Sequence, residues 1–302
     1  MKVIRARHSG FCGGVKRAWR MAEQAAGRDE RPVFILKDLI HNHQALDRLH
    51  DLGVNTARSV DDVPADGLVI FRAHGESPES FRRVAERGLT LQDATCPIVE
   101  RVQDKARQLE TEGYQVVIFG HKDHAEAIAI KAHTDRGMII DDLDEARALP
   151  RFPRIGAVTQ TTMYSGDFDQ VCEILATKCD EFKSLGSVCN FTQNAQAAAR
   201  DILGQVEAMV VVGGRHSSNT RQLVKVCSEA VPTYWIEVAS EIRAEWFAGV
   251  AGVGVTAGAS TPEWLTLEVI AALERIETPA GGEGAAARPV GRPPGEKSVT
   301  AN

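Results

Sequence analysis

The sequence predicts an α/β fold built from three similar small domains. Short β-branched apolar runs alternate with amphipathic stretches along the whole chain, as in helix-covered parallel sheets. Three cysteines, Cys12, Cys96 and Cys189, recur at intervals of 84 and 93 residues, each where an extended run gives way to a helical one. The 302 residues suffice for two or three compact units. We therefore expect repeated units that bring three equivalent turns together.

The alternation is visible in individual segments. Five apolar runs have the length and β-branched content of buried strands: Val33–Leu36, Gly67–Phe71, Gln115–Phe119, Met209–Val212 and Gly252–Val255. Five amphipathic stretches are predicted to be helices: Val15–Ala26, Glu79–Arg87, Ile98–Glu112, Asn194–Gln205 and Arg221–Ala230.

The cysteine spacing also predicts where the domains divide. We expect a first domain over residues 1–91 with Cys12, a second over 92–185 with Cys96, and a third over 186–277 with Cys189. The N-terminal strand is assigned to the first domain or, through pairing, to the third. Residues 278–302 are rich in glycine, alanine and proline with almost no large apolar side chain, which predicts a disordered tail.

Composition excludes several classes of protein. Hydrophobic residues make up 43% of the chain and charged residues 25%, as in ordinary globular proteins. The net charge of −6 argues against a nucleic-acid-binding protein, which usually carries a basic excess. No run resembles a membrane span or a secretory signal. The six cysteines are scattered, so reduced thiols or metal ligands in the cytoplasm are expected rather than disulfides.

The three regularly spaced cysteines are candidates for metal ligation. Thiolates suit iron–sulfur clusters and zinc, while the lack of a CxxC pair excludes zinc-ribbon and ferredoxin-type spacing. Pro97 after Cys96 predicts a helix N-terminus at this thiol, where the helix dipole favours the thiolate. From the residues alone, burial as small hydrophobic side chains is an equally good interpretation.

The other three cysteines are interpreted as core residues. Cys172 and Cys179 are seven residues apart in a stretch predicted to be helical, and therefore on one face, and Cys227 lies in another amphipathic helix. Cys179, ten residues before Cys189, is kept as the candidate fourth ligand.

Three histidines and one glutamate follow apolar strands. His41, His74 and His124 each lie shortly after such a run, where ligands of parallel α/β sheets bind. A single histidine there would more often cap a helix, but three favour an anion site, because histidine donates hydrogen bonds to phosphate. Glu126, two residues after His124, is either a surface carboxylate or a proton donor with a raised pKa.

Two glycine-containing loops are also suited to anions. The segment GGRHSSNT contributes Ser217, Ser218 and Asn219, and the segment TAGASTPEW contributes Ser260. Hydroxyl and N–H groups at a helix start bind anions, although ordinary capping explains either loop alone. Finding two such loops favours a diphosphate site.

Together the motifs resemble one known family. In chain order they are GFCGGV, LIHN, RAHG, DATCP, GHKDHAE, TQTT, VCNFTQNAQ, GRHSSNT and VGVTAGAS. This series, spanning residues 3–276, is similar to the 4-hydroxy-3-methylbut-2-enyl diphosphate reductases, the IspH or LytB family. Nine landmarks in family order argue strongly against chance.

The resemblance implies a trefoil of three α/β domains around a [4Fe–4S] cluster. It implies that Cys12, Cys96 and Cys189 ligate three irons and leave the fourth open. Glu126 resembles the family's proton-delivering carboxylate, and Thr161 its hydrogen-bonded partner near the substrate hydroxyl. The implied diphosphate pocket comprises His41, His74, His124, Thr161, Ser217, Ser218, Asn219 and Ser260.

The implied reaction removes the hydroxyl group of 4-hydroxy-3-methylbut-2-enyl diphosphate and gives isopentenyl and dimethylallyl diphosphate, the last step of the non-mevalonate isoprenoid pathway. In this reaction the open iron polarises the hydroxyl, the cluster delivers electrons and Glu126 supplies protons. The expected electron donor is a ferredoxin or flavodoxin, with no nucleic-acid or membrane partner.

Some residues depart from the commonest family pattern, and three alternatives stay open. The departures are Glu76, Ala125, Ala129, Asn190 and Phe191. They leave room for a paralogue that acts on another allylic diphosphate. A non-catalytic iron–sulfur sensor would need a fourth protein ligand such as Cys179. A zinc-binding structural protein is the third alternative.

Overall fold

The computed structural model describes residues 1–28, 30–186 and 188–276; the tail predicted at 278–302 lies outside these ranges. The described strands are β1 (Lys2–Arg5), β2 (Val33–Leu36), β3 (Val54–Ala57), β4 (Leu68–Phe71), β5 (Thr90–Asp93), β6 (Gln115–Phe119), β7 (Met138–Ile140), β8 (Phe152–Thr159), β9 (Cys179–Ser184), β10 (Ala208–Val212), β11 (Thr233–Ile236) and β12 (Gly252–Ala257).

The described α-helices cover the sheets and join the strands. They are α1 (Gly13–Arg28), α2 (His43–Asp51), α3 (Pro78–Glu86), α4 (Pro97–Thr111), α5 (Ala125–Ala132), α6 (Leu143–Ala148), α7 (Ser165–Ala176), α8 (Asn190–Leu203), α9 (Ser218–Ser228) and α10 (Glu263–Glu274). None of the helices in the described ranges is both long and apolar enough to cross a membrane.

The strands form three parallel four-stranded sheets with one shared topology. The first sheet has the order β3–β2–β4–β5, the second β7–β6–β8–β9 and the third β11–β10–β12–β1. In each, the unit's first strand lies between its second and third, and the fourth lies at the far edge. The predicted α/β class and its threefold repetition are thereby confirmed.

The N-terminal strand completes the third sheet. Lys2 pairs with Gly252 and Arg5 with Val255, so β1 takes the fourth-strand position that β5 and β9 occupy in the other sheets. The first sheet reaches Asp93 and the second reaches Ser184. The division at residues 91, 185 and 277 remains a prediction.

The predicted strands and helices are found within a few residues of their expected bounds, with informative shifts. Helix α8 begins four residues earlier than predicted, because the polar residues after Cys189 form its first turn. The prediction that Cys179 lies in a helix is wrong. Helix α7 ends at Ala176, and Cys179 opens β9, where it pairs with Phe152 of β8.

The core lies on both faces of the sheets. Every residue of β4, β10 and β12 is buried, which explains why these strands read as continuous apolar runs rather than as alternating ones. Each unit therefore has its own packed layers. The loops beyond the carboxyl ends of the strands contact the loops of the other units.

Candidate active site

A central cavity lies where the loops of the three units meet. All twelve predicted site residues line the cavity: Cys12, His41, His74, Cys96, His124, Glu126, Thr161, Cys189, Ser217, Ser218, Asn219 and Ser260. The structure therefore brings the whole predicted set together, while the role of each residue remains a prediction.

The lining residues occupy equivalent positions in the three units. The loops after the first strand of each unit (β2, β6, β10) carry His41, His124 and Ser217. The loops after the third strand (β4, β8, β12) carry His74, Thr161 and Ser260, and those after the fourth strand (β5, β9, β1) carry the cysteines Cys96, Cys189 and Cys12. Ligand sites beyond the carboxyl ends of parallel strands follow the general rule for such sheets.

Each of these cysteines stands directly before a helix. Cys12 precedes α1 and accepts a hydrogen bond from the Val15 N–H over 3.4 Å, and Cys96 and Cys189 are the N-cap residues of α4 and α8. The loops fit closely together at Gly14. A Cβ atom added there would lie 2.6 Å from Cys96 Sγ and 3.9 Å from Cys12 Sγ, so only glycine is accommodated.

The environment of the thiols disfavours their charged form. Burial, together with the nearby Cys96 and Cys189, raises the pKa of Cys12 to about 11, although the N–H groups of Val15 and Gly14 act in the opposite direction. Burial also raises the pKa of Cys96, although the N–H groups of Ile98 and Val99 lower it. The predicted helix start at Cys96 is found, and its N–H groups favour the thiolate as expected, but desolvation by burial outweighs them in the absence of a bound cation. A bound cation would drive the protons off.

The donor set at the cysteines fits a metal–sulfur cluster better than a single zinc ion. Thiolates on one zinc ion lie within about 4 Å of each other, given Zn–S bonds of about 2.3 Å. Among the described residues, the one cluster of histidine, cysteine or acidic side chains compact enough for a single ion is His41, His74 and His124, not the cysteines. Three soft thiol ligands spread around a larger space suit an iron–sulfur cluster.

The remaining cysteines do not line the cavity. Cys179 is buried in the hydrophobic core of the second unit, where its thiol donates to the carbonyl oxygen of Leu175 over 3.4 Å. Cys227 is buried in the core of the third unit, as predicted, and burial raises its pKa to about 12. Cys179 is thus not placed to act as a fourth ligand, and the four-ligand sensor hypothesis loses its candidate.

The three histidines form a compact trio beside the cysteines. Their ring centroids are 4.5 Å apart for His41 and His74, 5.2 Å for His41 and His124, and 5.4 Å for His74 and His124. Burial is the main cause that lowers the pKa of His41 to about 4 and of His124 to about 3. Burial also holds the pKa of His74 well below its usual value. All three rings are therefore neutral at pH 7.

These neutral rings present donors without protein partners. The N–H of Glu126 donates to His124 Nδ1 over 3.1 Å, which leaves the ring proton on Nε2. Within the described ranges, His41 Nε2, His74 Nδ1, Ser218 Oγ and Asn219 Nδ2 are buried with no hydrogen-bond partner. Each unsatisfied buried group costs roughly 1–3 kcal/mol. A ligand with several acceptor oxygens would satisfy the set.

The third unit holds its hydroxyl groups in place through loop-to-loop bonds. Ser217 caps α9 by accepting the N–H of Thr220, and Ser260 Oγ donates to the carbonyl oxygen of His41 over 3.2 Å. Asn219 Oδ1 accepts the N–H of Ala259 over 2.8 Å. The start of α9 therefore faces the histidine loop of the first unit, and a helix N-terminus favours a bound anion.

Glu126 is buried with no basic partner among its hydrogen bonds. It is 2% exposed, accepts the Thr161 N–H over 2.6 Å and the Thr161 hydroxyl over 3.1 Å. Burial raises its pKa to about 7, while the two bonds from Thr161 lower it. A carboxyl group with this pKa exchanges a proton near neutral pH, as a general acid does.

Sequence reasoning missed several polar residues of the site. Gln160 is fully buried and fixes the loop after β8: its Oε1 accepts the N–H of His121 and its Nε2 donates to Thr162 Oγ. Thr162 and Thr192 line the cavity. Gln160 and Thr162 belong to the TQTT motif, and Thr192 belongs to VCNFTQNAQ. Because polar residues at helix starts usually serve as capping residues, the place of these three side chains in the site could not be inferred from the sequence.

Three of the residues that depart from the family pattern, at positions 76, 125 and 129, are buried. Ala125 and Ala129 are buried in α5. Glu76 is 4% exposed and forms an ion pair with Arg72 at 2.7 Å, with Lys37 further away at 3.7 Å. Because the positive charge of Arg72 lowers the pKa of His41, this pair lies within electrostatic reach of the histidine trio.

Comparison with known proteins gives a consistent result. The model of the LytB protein family matches residues 3–274. A 4-hydroxy-3-methylbut-2-enyl diphosphate reductase of Geotalea uraniireducens is 38% identical over 278 residues, which is 91% of this chain and 98% of that protein. One of the same name from Syntrophotalea carbinolica is 40% identical over 273 residues, 89% of this chain and 97% of that protein.

A solved structure shares the architecture. The Plasmodium falciparum E-1-hydroxy-2-methyl-but-2-enyl-4-diphosphate reductase superposes with a TM-score of 0.86 at 27% identity, covering 91% of this chain and 88% of that one. Residues 3–274, which the family model matches, contain all the cavity loops and all the strands except the first residue of β1. The chain belongs to the LytB protein family.

Proposed function

We propose that this protein catalyses the reductive dehydroxylation of 4-hydroxy-3-methylbut-2-enyl diphosphate. The substrate takes up two electrons and two protons, loses its hydroxyl group as water and yields isopentenyl or dimethylallyl diphosphate, the last step of the non-mevalonate pathway. One observation carries the proposal: a single cavity combines three thiols, a ring of unpaired buried donors and a buried carboxyl group with a pKa near 7.

Cys12, Cys96 and Cys189 are the proposed ligands of a [4Fe–4S] cluster. When bound, this group supplies electrons and a Lewis-acidic iron for the hydroxyl group of the substrate. The protein contributes the soft ligands, a buried setting and the space left by Gly14 beside Cys96.

The diphosphate is bound by donors from all three units. His41, His74 and His124 each offer a ring N–H, and hydroxyl and amide groups follow at the start of α9. A bound diphosphate raises the pKa of neighbouring histidines, since an opposite charge favours their protonated form. The allylic end of a substrate anchored in this way is held toward the cysteines, which is an orientation effect.

Proton delivery is assigned to Glu126, with Thr161 as the relay. Burial raises the pKa of Glu126 to about 7, so both the protonated and the ionised form are accessible near neutral pH. The protonated carboxyl can donate to the Thr161 hydroxyl, 3.1 Å away, and this hydroxyl can in turn donate to a group in the cavity. The Thr161 N–H holds the other carboxylate oxygen in place.

The electron donor and the compartment are part of the proposal. We assign a ferredoxin or flavodoxin as the donor, as the family resemblance implies, because the reaction consumes two electrons per substrate. The cytoplasm is the proposed location, supported by six cysteines that are all free in the described residues.

Anaerobic turnover with reduced methyl viologen tests the function directly. Viologen oxidation that depends on the substrate and yields both five-carbon diphosphates is the expected result, and Glu126→Gln with equal iron content is the control for proton delivery. No turnover by protein with a complete cluster would overturn the assignment and favour a paralogue with another allylic substrate. A colourless anaerobic preparation with zinc in place of iron would favour the structural zinc protein.

A further inference from the structure

Positive charge is concentrated at one end of the chain. The whole protein has a net charge of −6, yet its first twenty residues contain six basic and no acidic side chains: Lys2, Arg5, Arg7, Lys16, Arg17 and Arg20. The last three are exposed on the first two turns of α1, the helix that starts directly after Cys12. This charge therefore lies beside one of the three cysteine turns.

The cysteine turns share an exposed outer side. Gly13, Pro97 and Asn190, each directly after its cysteine, are exposed and do not line the cavity. The next two residues of each helix line the cavity instead. A molecule on the outer surface can therefore come within one residue of the thiols without entering the cavity.

The starts of α1 and α4 form one continuous surface. The Arg17 guanidinium donates to the carbonyl oxygens of Asp93 over 3.2 Å and Thr95 over 3.1 Å, which ties α1 to the turn that carries Cys96. We call this surface the helix-start surface and define it by its exposed residues: Gly13, Lys16, Arg17, Arg20, Pro97, Glu100 and Arg101. The helix-start surface contains four basic side chains and one acidic side chain. Its net charge is therefore positive, whereas that of the whole protein is negative.

Neither the backbone conformation nor the packing of the protein requires glycine at position 13. Its φ is not in the left-handed region, and a Cβ atom added there would meet nothing within 4 Å. Gly14 differs, because a Cβ there would collide with Cys96 Sγ. A side chain at position 13 would instead project outward beside Cys12. Because position 13 has no side chain, another molecule can approach the backbone next to Cys12 closely.

We propose that the helix-start surface is the docking site of the electron donor, and that this donor is a negatively charged one-electron carrier protein. The inference rests on the proposed function, which requires two electrons per substrate. Two reduced carriers dock in turn, and each is oxidised by one electron. The surface includes the exposed residues directly after Cys12 and Cys96, and complementary charge raises association rates by about 10- to 1,000-fold at low salt.

Charge reversal on α1 tests the docking surface. In cluster-loaded Lys16→Glu/Arg20→Glu, we expect kcat/KM for a reduced acidic [2Fe–2S] ferredoxin to fall about tenfold or more, with a weaker salt dependence. The dissociation constant of this ferredoxin, measured by calorimetry without substrate, rises in parallel. Turnover with methyl viologen is retained. Arg28→Glu is the matched control, since Arg28 is exposed on the same helix about 12 Å beyond Arg20.

A second variant tests proximity instead of charge. Gly13→Gln should slow reduction of the protein by ferredoxin, followed by its visible spectrum, with unchanged iron content and unchanged affinity for the substrate. Equal ferredoxin affinity and equal kcat/KM in the Lys16→Glu/Arg20→Glu and Arg28→Glu variants would overturn the docking site. A loss of ferredoxin affinity only in the double variant, in a protein that never turns over the substrate with viologen, would keep the docking site and reject the proposed function.

Discussion

The first and third units carry different chemistry on the same loops. Their sheets share one strand order, and the loops after the first and third strands line the cavity in both. In the first unit these loops present His41 and His74, whose protonation can change, whereas in the third unit they present Ser217 and Ser260, which are always neutral donors. The shared topology determines the position of each side chain, whereas the type of side chain at that position differs between the units.

The second unit combines both kinds of side chain. His124 and Thr161 occupy its two equivalent loops, and Glu126 is added one residue into α5. In the proposed mechanism, proton delivery is therefore confined to the second unit, while anion binding is spread over all three. The fourth-strand loops do not differ in this way, because each carries a cysteine.

The largest effect on activity is expected at the cysteines, because all three units carry one after the fourth strand. Cys96→Ser removes one of three soft ligands, so iron content and substrate turnover should fall to background. Iron analysis and visible absorbance measure the first, and circular dichroism checks the fold. Cys172→Ser is the control, since Cys172 is half-buried on α7 and away from the cavity. A Cys96→Ser protein with full absorbance would contradict the ligand assignment.

The next largest effect is expected at the carboxyl group that only the second unit has. Glu126→Gln should lower kcat by about 10²- to 10⁴-fold, the usual contribution of a general acid, with unchanged iron content and substrate affinity. In the wild type, the pKa of about 7 predicts that kcat/KM declines as pH rises through 7, because the proton to be donated is lost. Retained turnover in the variant would assign proton delivery to another group.

Substitutions at equivalent loops of the first and third units sharpen the comparison. His41→Ala should weaken substrate binding by about 10- to 100-fold, since hydrogen bonds to charged groups contribute about 1.5–3 kcal/mol. Ser260→Ala should weaken it only a few-fold, because Ser260 also donates to the carbonyl oxygen of His41. Calorimetric titration of each variant gives both values, and a larger loss at Ser260 would reverse the assigned importance of the units.

The pH dependence of binding distinguishes the two units further. The pKa of free His41 is lowered to about 4, and a bound diphosphate raises it, so binding takes up protons and affinity rises as pH falls toward that range. His41→Ala should flatten this dependence, and Ser260→Ala should leave it unchanged. Proton uptake is measured by calorimetry in buffers with different ionisation enthalpies. No uptake in the wild type would mean that the rings stay neutral when the ligand is bound.

The last effect is on stability and not on activity, and concerns the ion pair that adjoins the histidines of the first unit. Glu76→Gln leaves Arg72 buried without its counter-charge and should lower the free energy of unfolding by about 1–3 kcal/mol. Glu79→Gln is the control, because the Glu79–Arg82 pair is exposed and such pairs contribute little. Urea denaturation compares the two, and equal stabilities would show that the Arg72–Glu76 pair contributes nothing net.

The sequence was sufficient for the repeat and for the set of residues that meet in the cavity. Alternation of apolar runs predicted the strands, and the three cysteine turns predicted their convergence, because loops beyond parallel strands have fixed positions. The sequence did not reveal that Gln160 is fully buried or that burial outweighs the helix start at Cys96. Both depend on how closely loops from different units pack, which local patterns do not encode.

The pairing of β1 with β12 links the two ends of the described chain. Lys2 pairs with Gly252, a separation of 250 residues, so the third sheet is complete only after β12 has been synthesised. During translation the first strand must wait unpaired while the first and second sheets can already form. A chain that ends before β12 would thus leave the edge of β1 unpaired, while α1 could still pack on the core of the first unit.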